Sequence, residues 1–256
     1  MSPSPRDLAR RLVALAPREL REKVPRDHLE SDEAFHRRRR VVGGVSVAGA
    51  GLLGRSLASE PDSTEFYALT LGVAGTWTAG AFASGPLHLG WEQGDDNQLR
   101  RPLATPVVLG VAAFGAFYGA ALVCRRIPVL NRALTDILAF ADQGSAPLVT
   151  ATTFANGAAE EVFFRGALYA AAGTHHPVAK STAVYALATT ATRNPALVLA
   201  GTAMGTLFAL QRRASGGIQA PLLTHLTWSA LMLRFMPPLF RRDGHDTVDT
   251  NRPPRV

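Results

Sequence analysis

Ala158-Ala159-Glu160-Glu161-Val162-Phe163-Phe164-Arg165-Gly166-Ala167-Leu168-Tyr169 sets three ionisable groups in the middle of an otherwise apolar run. Residues 143–159 and 166–179 on either side carry no Lys, Arg, Asp or Glu. Each charge at the centre of a membrane helix costs about 2.5–3.5 kcal/mol on insertion scales, so three of them require partners, water or a bound ligand. On a helix Glu161 and Arg165 are four apart and stack as an ion pair, while Glu160 is turned by about 100° toward another neighbour. One carboxylate is neutralised and one is left over. A carboxylate held without a counter-ion in a dry site is a group that takes a proton from water. The competing interpretation is a buried ion-pair network that only fixes helix packing, but charge at membrane depth is by default functional.

Outward from this stretch the chain divides by composition. Of its 256 residues 47% are hydrophobic and 18% charged, and a mean hydropathy of +0.07 averages polar ends with a strongly apolar middle. Residues 66–91, 102–124, 194–211 and 214–233 are each free of Lys, Arg, Asp and Glu. About 20 apolar residues cross a bilayer as a helix, so the expected fold is all-α, a polytopic transmembrane bundle of six to eight membrane helices. The net charge of +7 comes from arginines at the ends of apolar runs. That placement predicts membrane topology and lipid-headgroup contact; no nucleic-acid-binding motif accompanies it. The single Cys124 excludes an internal disulfide and reads as a packing residue.

The expected organisation is a basic N-terminal segment over residues 1–40, membrane helices over 41–142, a second membrane core over 143–238 and a disordered tail over 239–256. Residues 1–40 hold eleven Lys or Arg and seven Asp or Glu. Leu8, Leu12 and Leu15 share one helical face there, consistent with a surface-lying amphipathic helix or a solvated tail. The run Arg37–Arg40 precedes the first apolar segment, 41–57, which places the N-terminal side in the cytoplasm, most simply at the plasma membrane. Gly85-Pro86 ends a second span. Arg100-Arg101 and Arg125-Arg126 flank the third and leave its orientation open. Residues 127–142 form a weaker segment, interfacial or half-inserted. A long helix over 147–172 carries the central stretch, a shorter one over 178–192 and another over 195–210 follow, and residues 212–217 read as a turn. Gly201 and Gly205, four apart, allow close helix approach. The last span, 218–236, ends at Pro237-Pro238.

That span carries His225 and Ser229, four apart and hence on one face. With an unneutralised carboxylate on another helix, His225 is expected to share its site: a neutral imidazole donating to a developing oxyanion while Glu160 activates water. Ser229 has no acidic neighbour to complete a triad, and its ordinary role is a bond back to its own helix.

Glu160-Glu161-Val162-Phe163-Phe164-Arg165 resembles the Glu-Glu-x-x-x-Arg signature of the CAAX protease and bacteriocin-processing (abortive-infection) family. Gly216-Gly217-Ile218-Gln219-Ala220-Pro221-Leu222-Leu223-Thr224-His225 is similar to that family's late segment, Gly-Ser-Leu-x-Ala-Pro-x-x-x-His, and the likeness covers about residues 146–236. The resemblance implies an intramembrane endopeptidase acting on membrane-associated or lipidated proteins. It implies Glu160 as the water-activating group, His225 as oxyanion stabiliser, and Glu161 and Arg165 as supporting or substrate-orienting residues. A divalent metal such as zinc stays open, although no His-Glu-x-x-His site is present.

Two positions depart from the pattern. Where the family's Phe-x-x-x-His is expected, Tyr185-Ala186-Leu187-Ala188-Thr189 stands, and the closing His-x-x-x-Asn is His225-Leu226-Thr227-Trp228-Ser229. Threonine holds a water by hydrogen bond but does not titrate near neutral pH, and losing a general acid or base costs about 10²- to 10⁴-fold in rate. An impaired relative that binds a membrane peptide without cutting it is therefore the alternative. A proton-coupled transporter built on Glu160 and His225 is a third reading, against which the chain shows no repeat symmetry.

Overall fold

The computed structural model of the protein describes residues 30–94 and 96–240, and is all-α apart from one two-residue antiparallel pairing of β1 (Glu92–Gln93) with β2 (Leu99–Arg100). The stretch around Leu8, Leu12 and Leu15, most of the basic N-terminal segment and nearly all of the C-terminal tail lie outside the described residues.

Helix α1 (Asp32–Ser56) starts where Ser31 Oγ accepts the Ala34 amide at 3.2 Å, with Asp32 and Glu33 in its first turn. It therefore takes in the run Arg37–Arg40 rather than starting after it. Arg38, expected at the aqueous flank, is fully buried. Its guanidinium pairs with Glu30 and donates to Ser84 Oγ and the Pro86 carbonyl, both at 3.2 Å. Helix α2 (Thr64–Ser84) is capped by Ser63, whose Oγ accepts the Phe66 amide at 3.0 Å, and ends as expected at Gly85, where φ is +138°. Arg38 thus ties the start of α1 to the end of α2, and the two helices pack along each other.

Helix α3 (Ala104–Cys124) is the third expected span, followed by α4 (Pro128–Gln143) over the weaker segment. The central helix is not α throughout. It begins as α5 (Ala146–Glu160), widens into a π-helix over Glu161–Leu168 and closes with α6 (Tyr169–Ala171) before Gly173 at φ +72°. π-Segments are rare and gather at functional sites. Neighbouring helices brace this one: Ser181 Oγ donates to the Phe164 carbonyl at 3.1 Å and Arg212 Nε to the Arg165 carbonyl at 2.8 Å. The i+4 stacking predicted for Glu161 and Arg165 survives the wider turn, at 3.2 Å.

Helix α7 (Pro177–Thr190) and α8 (Pro195–Ser215) follow, the latter capped by Asn194 Oδ1 on the Leu197 amide at 3.1 Å. Arg212 to Ser215, expected in a turn, are still helical, and the turn is confined to the residues after Ser215. Helix α9 (Gln219–Phe235) and the short α10 (Pro237–Phe240) complete the described chain. The Gly216-Gly217 pair belongs to a backbone contact with the loop before β1. Ile218 and Gln219 donate to the His88 and Leu89 carbonyls, both at 2.9 Å, and Trp91 donates to Ser215 at 2.8 Å. A Cβ on Gly217 would fall on the Leu89–Gly90 backbone, so only glycine fits.

Charged groups are buried within the bundle while large apolar side chains stand on its outer face. Glu161 and Arg165 are 0% exposed whereas Val47, Leu187 and Phe82 are 76%, 70% and 65% exposed. Among the described residues α3 is the one helix both long and apolar enough to cross a membrane by those measures alone. The other expected spans do not meet both measures among the described residues. The main core is aromatic: fully buried Trp77 lies 4.7 Å from Phe163 and 5.0 Å from Phe164, ring centre to ring centre, locking α2 against the π-segment.

Candidate active site

The two adjacent glutamates end in different surroundings. Glu161, the first residue of the π-segment, points inward, where its Oε1 accepts from Arg165 Nη1 at 3.2 Å and from His225 Nδ1 at 2.9 Å. Arg165 is enclosed by rings, its guanidinium carbon 4.6 Å from the centre of Tyr185, 5.1 Å from Phe208 and 5.9 Å from Phe164. Cation–π attraction and one ion pair stabilise a charge that burial would otherwise penalise. Arg165 Nε and Nη2 and Glu161 Oε2 nevertheless have no hydrogen-bond partner. Neither residue lines the adjoining cavity, so the position of both is that of supports buried behind it and not of contacts for a ligand within it.

Glu160 faces the cavity. Its hydrogen-bond partner is Tyr185, whose hydroxyl donates to Oε2 at 2.6 Å, and Arg165 does not pair with it. The cavity holds about 320 Å³, and Glu160, Tyr185, Thr189, His225 and Ser229 all contribute to its lining. Three helices separated in the chain therefore converge there: the end of α5, the second half of α7 and the middle of α9. Apolar side chains, among them Leu53, Phe66, Ile137, Met204 and Leu233, form much of the remaining wall.

His225 is held firmly. Phe208 stacks on its ring at 4.8 Å with the planes 22° apart, and the imidazole is nearly buried. Because the Glu161 carboxylate accepts from Nδ1, the neutral ring carries its one proton there and presents Nε2 as an acceptor. Only with both nitrogens protonated does Nε2 donate to the cavity. Thr189 Oγ1 donates to the Tyr185 carbonyl at 2.8 Å, so it meets a cavity water only as an acceptor. Ser229 does not make the expected bond back to its helix; among the described residues its hydroxyl has no partner and lines the cavity.

Sequence reasoning passed over Tyr185 as an element of the site, although its hydroxyl, one turn before Thr189, was a visible signal. It also passed over Thr152 and Asn156, which lie at intervals of four before Glu160 and line the cavity. Asn156 Nδ2 donates to the Thr70 carbonyl at 3.1 Å and to Thr152 at 3.0 Å, fixing α5 against α2.

The described residues contain no group of three or more His, Cys, Asp or Glu arranged to hold a metal ion. Zinc uses three or four protein ligands, whereas Glu161 and His225 Nδ1 are engaged with each other and only Glu160 and Nε2 are left. The donor set among the described residues does not fit that ion. His175 and His176 sit in the connection between α6 and α7, His176 in a left-handed conformation at φ 53°.

Residues 142–231 match the family model described as type II CAAX prenyl endopeptidase Rce1-like. No curated protein and no solved structure matches the chain. The matched segment begins at the end of α4 and takes in α5, the π-segment, α7, α8 and most of α9, that is, all the helices that supply Glu160, Glu161, Arg165, Thr189, His225 and Ser229. Over residues 142–231 the chain is therefore similar to the Rce1-like, type II CAAX prenyl endopeptidase family, and this segment holds every residue of the candidate site.

Proposed function

We propose that the protein is an intramembrane endopeptidase that hydrolyses a peptide bond in a membrane-associated or lipidated protein. One observation carries this reading: Glu160 and His225 line a single cavity, the first without an ion-pair partner among the described residues and the second aimed by a buried carboxylate. Glu160 takes a proton from a water as its oxygen attacks the scissile carbonyl carbon. The negative oxygen of the tetrahedral intermediate accepts from His225 Nε2 in its imidazolium form. Collapse breaks the C–N bond, and Glu160 returns the proton to the departing amine. Glu161 and Arg165 support this arrangement by holding the imidazole plane. The exposed apolar side chains of the outer face support a reaction at the depth of lipid-anchored segments, and the reading puts it in the plasma membrane, among six to eight membrane helices, with the N-terminal side cytoplasmic.

The purified protein in detergent is expected to cleave members of a peptide library, with cleavage lost in Glu160→Ala; equal turnover by both forms refutes the assignment. A second reading is favoured by Thr189, which occupies a cavity position without a titratable group. In that reading the cavity holds a membrane peptide without cutting it, and the same experiment shows binding with no Glu160-dependent product.

A further inference from the structure

Tyr185 is the one protein group hydrogen-bonded to Glu160 among the described residues. Its setting is built for that contact. The ring lies edge-on to Phe164 at 4.7 Å with the planes 62° apart, and the Arg165 guanidinium sits 4.6 Å from its centre. Gly205 closes the remaining side: a Cβ there would come 2.9 Å from Tyr185 Cδ1 and 3.3 Å from Arg165 Nη2. The glycine that reads in sequence as a generic helix-packing residue is thus fitted to this ring. Below it, Thr189 is tied to the Tyr185 carbonyl, so the next turn of α7 offers Glu160 no donor.

We propose that Tyr185 is a positioning residue for water activation. Its phenol holds Glu160 Oε2 and leaves Oε1, which has no partner among the described residues, for the nucleophilic water. This rests on the reading of Glu160 as the group that activates water. A carboxylate rotates in a broad, nearly two-fold well about its last torsion, and a donor fixed on one oxygen selects the plane in which the other acts. A neutral phenol performs this without the strong attraction that a guanidinium would exert on the same proton acceptor. The division of labour between the glutamates follows: the cation and the imidazole are assigned to Glu161, the phenol to Glu160.

The test compares wild type, Tyr185→Phe and Glu160→Ala in detergent on the same peptide substrates, with thermal unfolding measured for each. Tyr185→Phe is expected to stay folded and to lower kcat about 10- to 100-fold, the scale of a misplaced reacting group, with KM changed less than twofold. A folded Tyr185→Phe protein with wild-type kcat, or one whose loss falls on KM, overturns the proposal and leaves Glu160 untouched. Wild type that cuts no faster than Glu160→Ala overturns both. Should the phenylalanine variant unfold, fluorotyrosines at position 185, which keep ring and hydroxyl, replace it: kcat that follows phenol acidity supports the role, and kcat indifferent to it overturns it.

Discussion

Neighbouring glutamates of like chemistry should answer very differently to removal, and this contrast bears on the whole interpretation of the site. Glu161→Ala leaves the fully buried Arg165 without its ion-pair partner and deprives His225 of its 2.9 Å contact. Taking away one member of a buried pair costs about 3–5 kcal/mol, because the other charge stays desolvated. The rings around Arg165 are present before and after the change, so they do not reduce that difference. Glu160→Ala removes a carboxylate that faces a cavity and makes one bond, to a phenol able to turn to water, and should cost about 0.5–1.5 kcal/mol. Thermal or denaturant unfolding in one detergent should therefore rank Glu161→Ala well below Glu160→Ala, with Glu161→Gln between them because it retains an acceptor. Peptide cleavage should be absent in Glu160→Ala although that protein is folded. Equal destabilisation by the two alanine variants would show that both carboxylates serve packing, and the reasoning about a counter-ion-free glutamate would fail.

Two further perturbations probe the scaffold. Gly217→Ala should abolish or severely reduce folded protein because its Cβ meets the Leu89–Gly90 backbone, whereas Gly157→Ala should be near neutral, its nearest contacts being 3.5 Å from Leu226 and 3.6 Å from His225; expression and unfolding temperature of the two variants check this contrast. Asp62, in the loop before α2, accepts from the Tyr67 hydroxyl at 2.7 Å and from the amide of Ser145, which caps α5, at 3.0 Å; these bonds hold its carboxyl below the usual carboxylate range. A lowered folded-state value means that the contribution is present above the ordinary carboxylate pKa, about 3.9, and is lost as pH falls toward the folded value. Unfolding of wild type should accordingly show an acid-side loss that Asp62→Asn flattens, and parallel pH profiles would refute the link.

Much of this architecture was legible in the chain because it depends on neighbours. The Glu161–Arg165 pair follows from a spacing of four, the ends of α2 and of the central helix from Gly85 and Gly173, and the helical class from long runs without charge. Burial of Arg38 was not legible. A run of arginines before an apolar segment ordinarily marks a membrane flank, and only the approach of Ser84, Pro86 and Glu30 turns one of the four inward. The widening of the central helix was equally hidden, since nothing in Glu161–Leu168 breaks an α pattern; the donors that brace its carbonyls come from α7 and α8.

By itself, then, the sequence determined that a carboxylate would stand unneutralised beside an ion pair in an apolar helix, because periodicity along one helix is a local property. Which groups that carboxylate and that pair would meet was decided by tertiary structure. The phenol of Tyr185 reaches Glu160 and the imidazole of His225 reaches Glu161 only after helices distant in the chain take up one rotation and one depth. Helix rotation and depth depend on the packing of whole faces, and no spacing within a single segment encodes them.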